Sequence, residues 1–212
     1  MSQSRSILQA DQSYTFRSYF EMPYEADEIL AEFGYRLERS RLLLPKTARP
    51  FERLADLQRQ IEESLLLVSL SSETARRETL VAPVLLEVAR YCRCQLRIEY
   101  PLVVNNWLKG NLDYLLWLEN ILLVVEAKND DLTRGFTQLA VEMIALAEAK
   151  NQDHLYGAVT IGDAWRFGIL DRTQKRITQD IALYRVPDDL DTLVRSLIGI
   201  IENVSSLLEK LG

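Results

Sequence analysis

Gly110-Asn-Leu-Asp113-Tyr-Leu-Leu-Trp-Leu-Glu-Asn-Ile-Leu-Leu-Val-Val-Glu126-Ala-Lys128 reads as a β-hairpin that carries charges where a buried sheet has no use for them. Both arms, Leu112 to Leu118 and Ile121 to Val125, are apolar and rich in strand formers, with Glu119-Asn120 as the turn. With Leu118 opposite Ile121, counting outward pairs Trp117 with Leu122, Leu115 with Val124 and Asp113 with Glu126. Two carboxylates directly across a strand pair have Cβ atoms roughly 4.5–5.5 Å apart and repel each other. Period two puts Lys128 on the face of Glu126. Such a pair calls for a neutralising cation, and oxygen ligands favour a hard divalent one, Mg2+ or Mn2+.

An Asp on one strand followed by Glu-x-Lys on the next resembles the PD-(D/E)xK nuclease superfamily; here the pieces are Asp113, Glu126 and Lys128. Upstream, Arg76-Arg77-Glu78-Thr-Leu-Val-Ala-Pro83 is similar to the first core helix, which in many members carries an acid. Downstream, Gln138 falls on the following helix, where several members carry a Gln. Tyr156-Gly-Ala-Val-Thr160 and Trp165-Arg-Phe167 are similar to the closing strands of the restriction-enzyme-like branch. The likeness covers residues 72–172, with Leu112 where a proline often precedes the first Asp. It implies a restriction-endonuclease-like α/β sandwich, a central mixed sheet flanked by helices. It also implies a Mg2+- or Mn2+-dependent nuclease acting on DNA sooner than RNA. Asp113, Glu126, the Ala127 carbonyl and Glu78 (through a water) are the implied metal ligands, with Glu73 competing for the place of Glu78. Lys128 would serve the attacking water or the transition-state charge, the latter favoured because two nearby carboxylates keep it protonated. Gln138 would orient a phosphate or Lys128.

Composition sets the outer bounds. No apolar run reaches the roughly 18 residues of a membrane span, and the polar N-terminus leads into no signal-peptide core. Cys92 and Cys94 are too few for a disulfide scaffold, so a cytoplasmic protein is expected. The net charge of −6 counts against binding nucleic acid, although the field at a cleft matters more than the total. Arg36, Arg39, Arg41, Lys46, Arg49 and Arg53 are the candidates for a local basic patch, their ordinary reading being a solvated face.

Along the chain, alternation from Ser13 to Met22 suggests a strand, and Tyr24 to Arg39 a helix weakened by Gly34. Residues 41–50 read as a linker and Phe51 to Leu70 as a helix. Ser71-Ser72 caps a helix running to about Tyr91 that Pro83 bends or breaks. Gln95 to Val104 is the first core strand, followed by the hairpin. Asp130 or Asp131 caps a helix to about Lys150. Leu155 to Ile161 and Trp165 to Leu170 are strands joined at Gly162-Asp163, and Ile181 to Val186 is a further strand candidate. Pro187-Asp188 opens the last helix, striped by Leu190, Leu193, Leu197, Ile201, Val204, Leu208 and Leu211. Residues 1–70 are expected as an accessory segment and 71–212 as the core. The second hairpin arm is apolar on both faces, which requires helices on both sides of the sheet.

Other chemistries lack their residues. Cys92-x-Cys94 with His154 as the sole histidine makes neither a tetrahedral zinc site nor a nucleophile triad, and no phosphate-binding glycine pattern occurs. Of the three tryptophans, Trp107 is the best placed to stack on a base and Trp117 reads as core. A second class stays open: a catalytically weak or inactive nuclease-fold protein working as an interaction or regulatory module. Ile198 and Ile200 widen the apolar surface of the last helix, so a homodimer through that helix or the N-terminal segment is also expected.

Overall fold

Leu118 pairs with Ile121, and the antiparallel ladder continues through Trp117–Leu122, Leu116–Leu123 and Leu115–Val124 to Tyr114–Val125, the register expected from counting outward from Leu118 opposite Ile121. The structure is a computed structural model that describes residues 6–118, 121–128 and 130–208. The Glu119-Asn120 turn and Leu211 lie outside them, as do the side chains of Val204 and Leu208.

The chain opens with two short helices, α1 (Phe16–Glu21) and α2 (Ala26–Glu32), and a strand, β1 (Arg36–Ser40). The strand expected from Ser13 to Met22 is therefore a helix. The Thr15 N–H donates to Ser18 Oγ at 3.0 Å, and Phe16 and Tyr19, spaced for a helix, are the side chains that bury. The helix expected from Tyr24 to Arg39 stops at Glu32, because Gly34 turns the chain at φ +74°. Beyond it β1 pairs in parallel with β7, a contact no local pattern announces.

Next come α3 (Leu54–Leu67) and α4 (Glu73–Arg76), the latter capped by Ser72 Oγ accepting from Ala75 N–H at 3.1 Å. A π-helical turn spans Arg77–Val81, with Ala82 N–H bonded back to Arg77 O, and α5 (Ala82–Cys92) follows with Pro83 in its first turn. Proline has no N–H to continue an α-helical ladder, and the widened turn directly before it is how this helix absorbs the loss. Three strands then form a meander: β2 (Gln95–Val103), β3 (Lys109–Leu118) and β4 (Ile121–Ala127). Helix α6 (Leu132–Lys150) starts at Asp131, whose Oδ1 accepts from the N–H groups of Thr133 and Arg134 at 2.9 Å each. The rest is β5 (His154–Thr160), β6 (Ala164–Asp171), β7 (Arg176–Asp180), the two-residue β8 (Tyr184–Arg185) and α7 (Leu190–Leu208). The strand expected over Ile181 to Val186 shrinks to β8, and the mostly polar β7 before it carries the pairing instead.

The sheet is mixed and eight-stranded, ordered β1-β7-β6-β5-β4-β3-β2 with β8 beside β6; β1–β7 and β4–β5 are parallel. Helices cover both faces, as the two-sided apolar β4 requires. Leu123 and Val125 join α3, α5 and α7 on one side, while Val124 joins α1, α2 and α6 on the other. Residues 6–70 thus supply an edge strand and parts of both apolar layers.

Ile198 and Ile200, expected to widen the apolar surface of the last helix, are fully buried within the chain itself, which removes the observation that motivated a homodimer. The segment around Pro45 packs against this helix at Gly199. A Cβ built on Gly199 would stand 2.4 Å from the Pro45 carbonyl oxygen, closer than side chains tolerate, and backbone cannot step aside cheaply. Gly199→Ala should therefore lower stability by about 1–3 kcal/mol, read as a reduced midpoint in urea unfolding, whereas an exposed Gly-to-Ala change in a helix is stabilising.

Candidate functional site

The hairpin register carries Asp113 one step past the last ladder pair, opposite Glu126. On its other side Asp113 faces Glu99, because Ile98 pairs with Tyr114 and Tyr100 with Leu112. Three acids thus lie in a row across three adjacent strands. Glu99 holds φ at +51°, a left-handed conformation that a non-glycine residue adopts only under constraint from its surroundings.

Each acid meets a cation. Arg77, from the π-turn, ion-pairs with Glu99 at 2.8 Å and with Asp113 at 3.4 Å, and lies 5.1 Å from the Tyr114 ring centroid. The other oxygen of Asp113 accepts from Ala127 N–H at 2.9 Å. Lys128 reaches back to Glu126 Oε1, and its own backbone N–H is fastened to Thr160 O at 2.7 Å on β5. Gln138 Nε2 donates to Glu126 Oε1 at 2.7 Å and to Glu142 Oε1, one turn along α6, at 2.9 Å. Glu126 and Glu142 are both fully buried. Among the described residues, Glu126 Oε2, Gln138 Oε1 and Glu142 Oε2 find no hydrogen-bond donor.

This arrangement moves protons. Burial, then the charge of Asp113, lifts the Glu126 carboxyl to about 8, against the pull of Lys128. Burial lifts Glu142 well above the carboxylate range, with Glu126 adding to it. Both acids accept from the same Gln138 amide, and burial beside each other raises the proton affinity of each. Burial also raises Asp113, although Ala127 N–H, Arg77 and Lys128 oppose it. Lys128 loses hydration on burial, yet Glu126 and Asp113 more than compensate and keep it charged.

Asp113, Glu126, Lys128 and Gln138 line a cavity of ≈ 440 Å³ with Thr15 at the start of α1, Phe16, Arg17 and Phe20 from it, Glu73 and Arg77, and Glu99, Gly110 and Asn111. Of the residues singled out in the sequence, Asp113, Glu126, Lys128 and Gln138 converge here. Glu78 does not line the cavity; it is exposed, and Glu73, one π-turn earlier, takes that place. A helix assumed to be regular puts the wrong acid inward, since the π-turn resets its phase. Arg77, Glu99 and Glu142 went unread. An acid inside the run Leu139-Ala-Val-Glu142-Met-Ile is the signal that points to the last of them. Four of the six basic-patch candidates sit away from the cavity on partners of their own, Arg36 on Glu38, Arg39 on Gln179, Arg49 on Glu202 and Arg53 on Glu87. Trp107 donates its indole N–H to Gln9 O and Trp165 is buried, so neither presents a free ring face at the site.

Among the described residues no group of three or more His, Cys, Asp or Glu is arranged to hold a metal ion. Mg2+ asks for less, commonly one or two carboxylates completed by waters and substrate phosphate. Asp113 and Glu126 fit that demand in donor chemistry, and the unpartnered buried oxygen of Glu126 is the atom that a cation would satisfy. No helix among the described residues is long and apolar enough to cross a membrane. Comparison of the chain with protein-family models, curated proteins and solved structures finds no match.

The raised carboxyls make stability depend on pH. The folded chain holds these protons more tightly than the unfolded one, so in metal-free buffer it should lose stability as pH rises from the ordinary carboxylate range to about 8. Glu126→Gln should flatten that slope in urea titrations; an unchanged slope would mean that Glu126 is ionised throughout.

Proposed function

We propose that the chain is a metal-dependent nuclease that hydrolyses phosphodiester bonds, those of DNA in preference to RNA, on a restriction-endonuclease-like fold. One observation carries the reading: two carboxylates held together against their repulsion, with Lys128 beside them, at the floor of a cavity large enough for a nucleotide. A fold has no structural use for that expense, since an apolar pair at Asp113 and Glu126 would be cheaper to bury.

Asp113 and Glu126 would hold the ion, with the Ala127 carbonyl as a neutral ligand. A bound Mg2+ supplies a Lewis acid for the phosphate oxygen and a more acidic water. The protein's own side chains do the rest. With an ion held there, Glu126 would serve as an ionised ligand and would no longer need Lys128 as its counter-charge. Lys128, released but still protonated, turns to the charge that builds on the phosphate oxygens, an electrostatic role in place of a base. Arg77, fixed by Glu99 and Tyr114, offers a second positive group on the opposite flank. Gln138 keeps the Glu126 carboxylate oriented, and neutral Glu142 keeps Gln138 in place without adding charge. Every group comes from one chain, so the chemistry asks for no partner subunit.

A second reading has its own observation. Arg77 and Lys128 already neutralise the acids, as they would in a nuclease fold kept as an interaction or regulatory module. Metal binding separates the two. For the nuclease, saturating Mg2+ or Mn2+ should raise the melting temperature by several degrees, and the rise should vanish in Asp113→Asn. Metal-free Asp113→Asn should itself be close to parental in stability, since losing the Arg77 pair is offset by relief from Glu126. Asp113→Ala and Lys128→Ala should each cut metal-dependent cleavage of labelled DNA by about 10²–10³-fold or more while remaining folded. A Lys128→Ala protein that cleaves like the parent sinks the catalytic assignment.

A further inference from the structure

We infer that DNA enters this cavity as a single strand and not as an intact duplex, an inference that rests on the nuclease reading of the same residues. Depth is the first reason. The side chains of Lys128 and Asp113 are 11% and 14% exposed and Glu126 is fully buried, so a phosphate can reach them only by descending into the cavity. The cavity's ≈ 440 Å³ lies toward the lower end of small-molecule sites, roughly 300–1,000 Å³, which suits one nucleotide. A phosphodiester in a duplex cannot be inserted that far without unpairing and unstacking its neighbours.

The walls do not give way. Helix α1 forms one side and is anchored: Phe16 and Tyr19 are buried, and Tyr19 OH donates to Trp107 O at 2.6 Å. Tyr14 N–H, just before the helix, donates to Asn106 O at 2.9 Å. Phe16 also packs on the strand so tightly that a Cβ on Gly110 would meet its ring at 2.7 Å. Opposite stand Glu73 and Arg77, with Glu73 near enough to Arg17 to act on its charge across the opening. The width of the mouth is therefore a property of the packed core and not of a movable lid.

The mouth is furnished for a flexible strand. Half-buried Phe20 lines the cavity with Lys128 Nζ over its ring, 5.0 Å from the centroid. Once the lysine turns to a phosphate, as the nuclease reading has it, that ring face is where the attached base can stack. Arg17, 81% exposed on the same helix and paired with Glu21 at 2.8 Å, lines the cavity where it can exchange that partner for the next phosphate along. Stacking and backbone contacts of this kind bind single strands without reading sequence.

The test compares a short labelled oligonucleotide with its blunt duplex by fluorescence anisotropy, using the whole chain with Ca2+ in place of Mg2+, and then follows cleavage of both in Mg2+. The single strand should bind about tenfold tighter or more. Phe20→Ala should weaken that binding by about five- to hundredfold and leave duplex binding unchanged. Phe20→Leu, which keeps the apolar volume on α1 and removes the ring, should weaken it likewise, so a folding defect in the alanine variant cannot mimic the result. A duplex that binds as tightly and is cut as fast as the single strand overturns the inference and leaves the nuclease reading standing. If neither form binds, both fall.

Discussion

Repulsion between Asp113 and Glu126 is the constraint around which this molecule is arranged. The hairpin has no freedom to avoid it. Sliding one strand by a residue would turn Leu115, Val124 and their neighbours onto the wrong faces of a sheet that is buried on both sides. The apolar register, worth far more than one unfavourable charge pair, wins, and the remaining structure has to neutralise what it leaves behind. It does so from both flanks: Arg77 from the π-turn above β2 and β3, and Lys128 from the end of β4.

Burial then converts charge repulsion into proton affinity. Glu126 sits where water cannot screen it, and a second acid, Glu142, is brought against the same Gln138 amide. Keeping neighbouring carboxylates ionised in such a place costs more than taking up a proton, so burial raises the proton affinity of both. The consequence is a cluster with an unpartnered buried oxygen on Glu126, raised proton affinities and an ammonium group paired to the same carboxyl. Its rigidity comes from β5 through the Lys128 backbone and from α6 through Gln138, both held by apolar layers on either side of the sheet.

The surroundings of the acids are as long-range as the acids are local. The cavity takes one wall from α1, near the start of the chain, and another from the turn between α4 and α5. Edge strand β1 joins β7 from the far end of the sequence, so the first 70 residues help to build the sheet and the site wall together. Had α1 been the strand that its alternation suggests, Phe16 and Tyr19 would point to opposite sides and the cavity would have no roof.

Much of the site was legible in the sequence because the signals that encode it are short-range. Strand alternation has period two and permits only one hairpin register that buries the apolar set, which put Asp113 opposite Glu126 and Lys128 on the same face. Side-chain caps likewise act within a turn, as Ser72 and Asp131 do at the starts of α4 and α6. The tertiary structure alone decided what depends on packing between distant segments: that Glu73 and not Glu78 lines the cavity, that Ile198 and Ile200 are buried within the chain, and that Glu142 is buried against Gln138 with its proton affinity raised. The reason is physical. Helix phase beyond an irregular turn, the pairing of remote strands and the hydration of a carboxyl are set by neighbours that no local window of sequence contains.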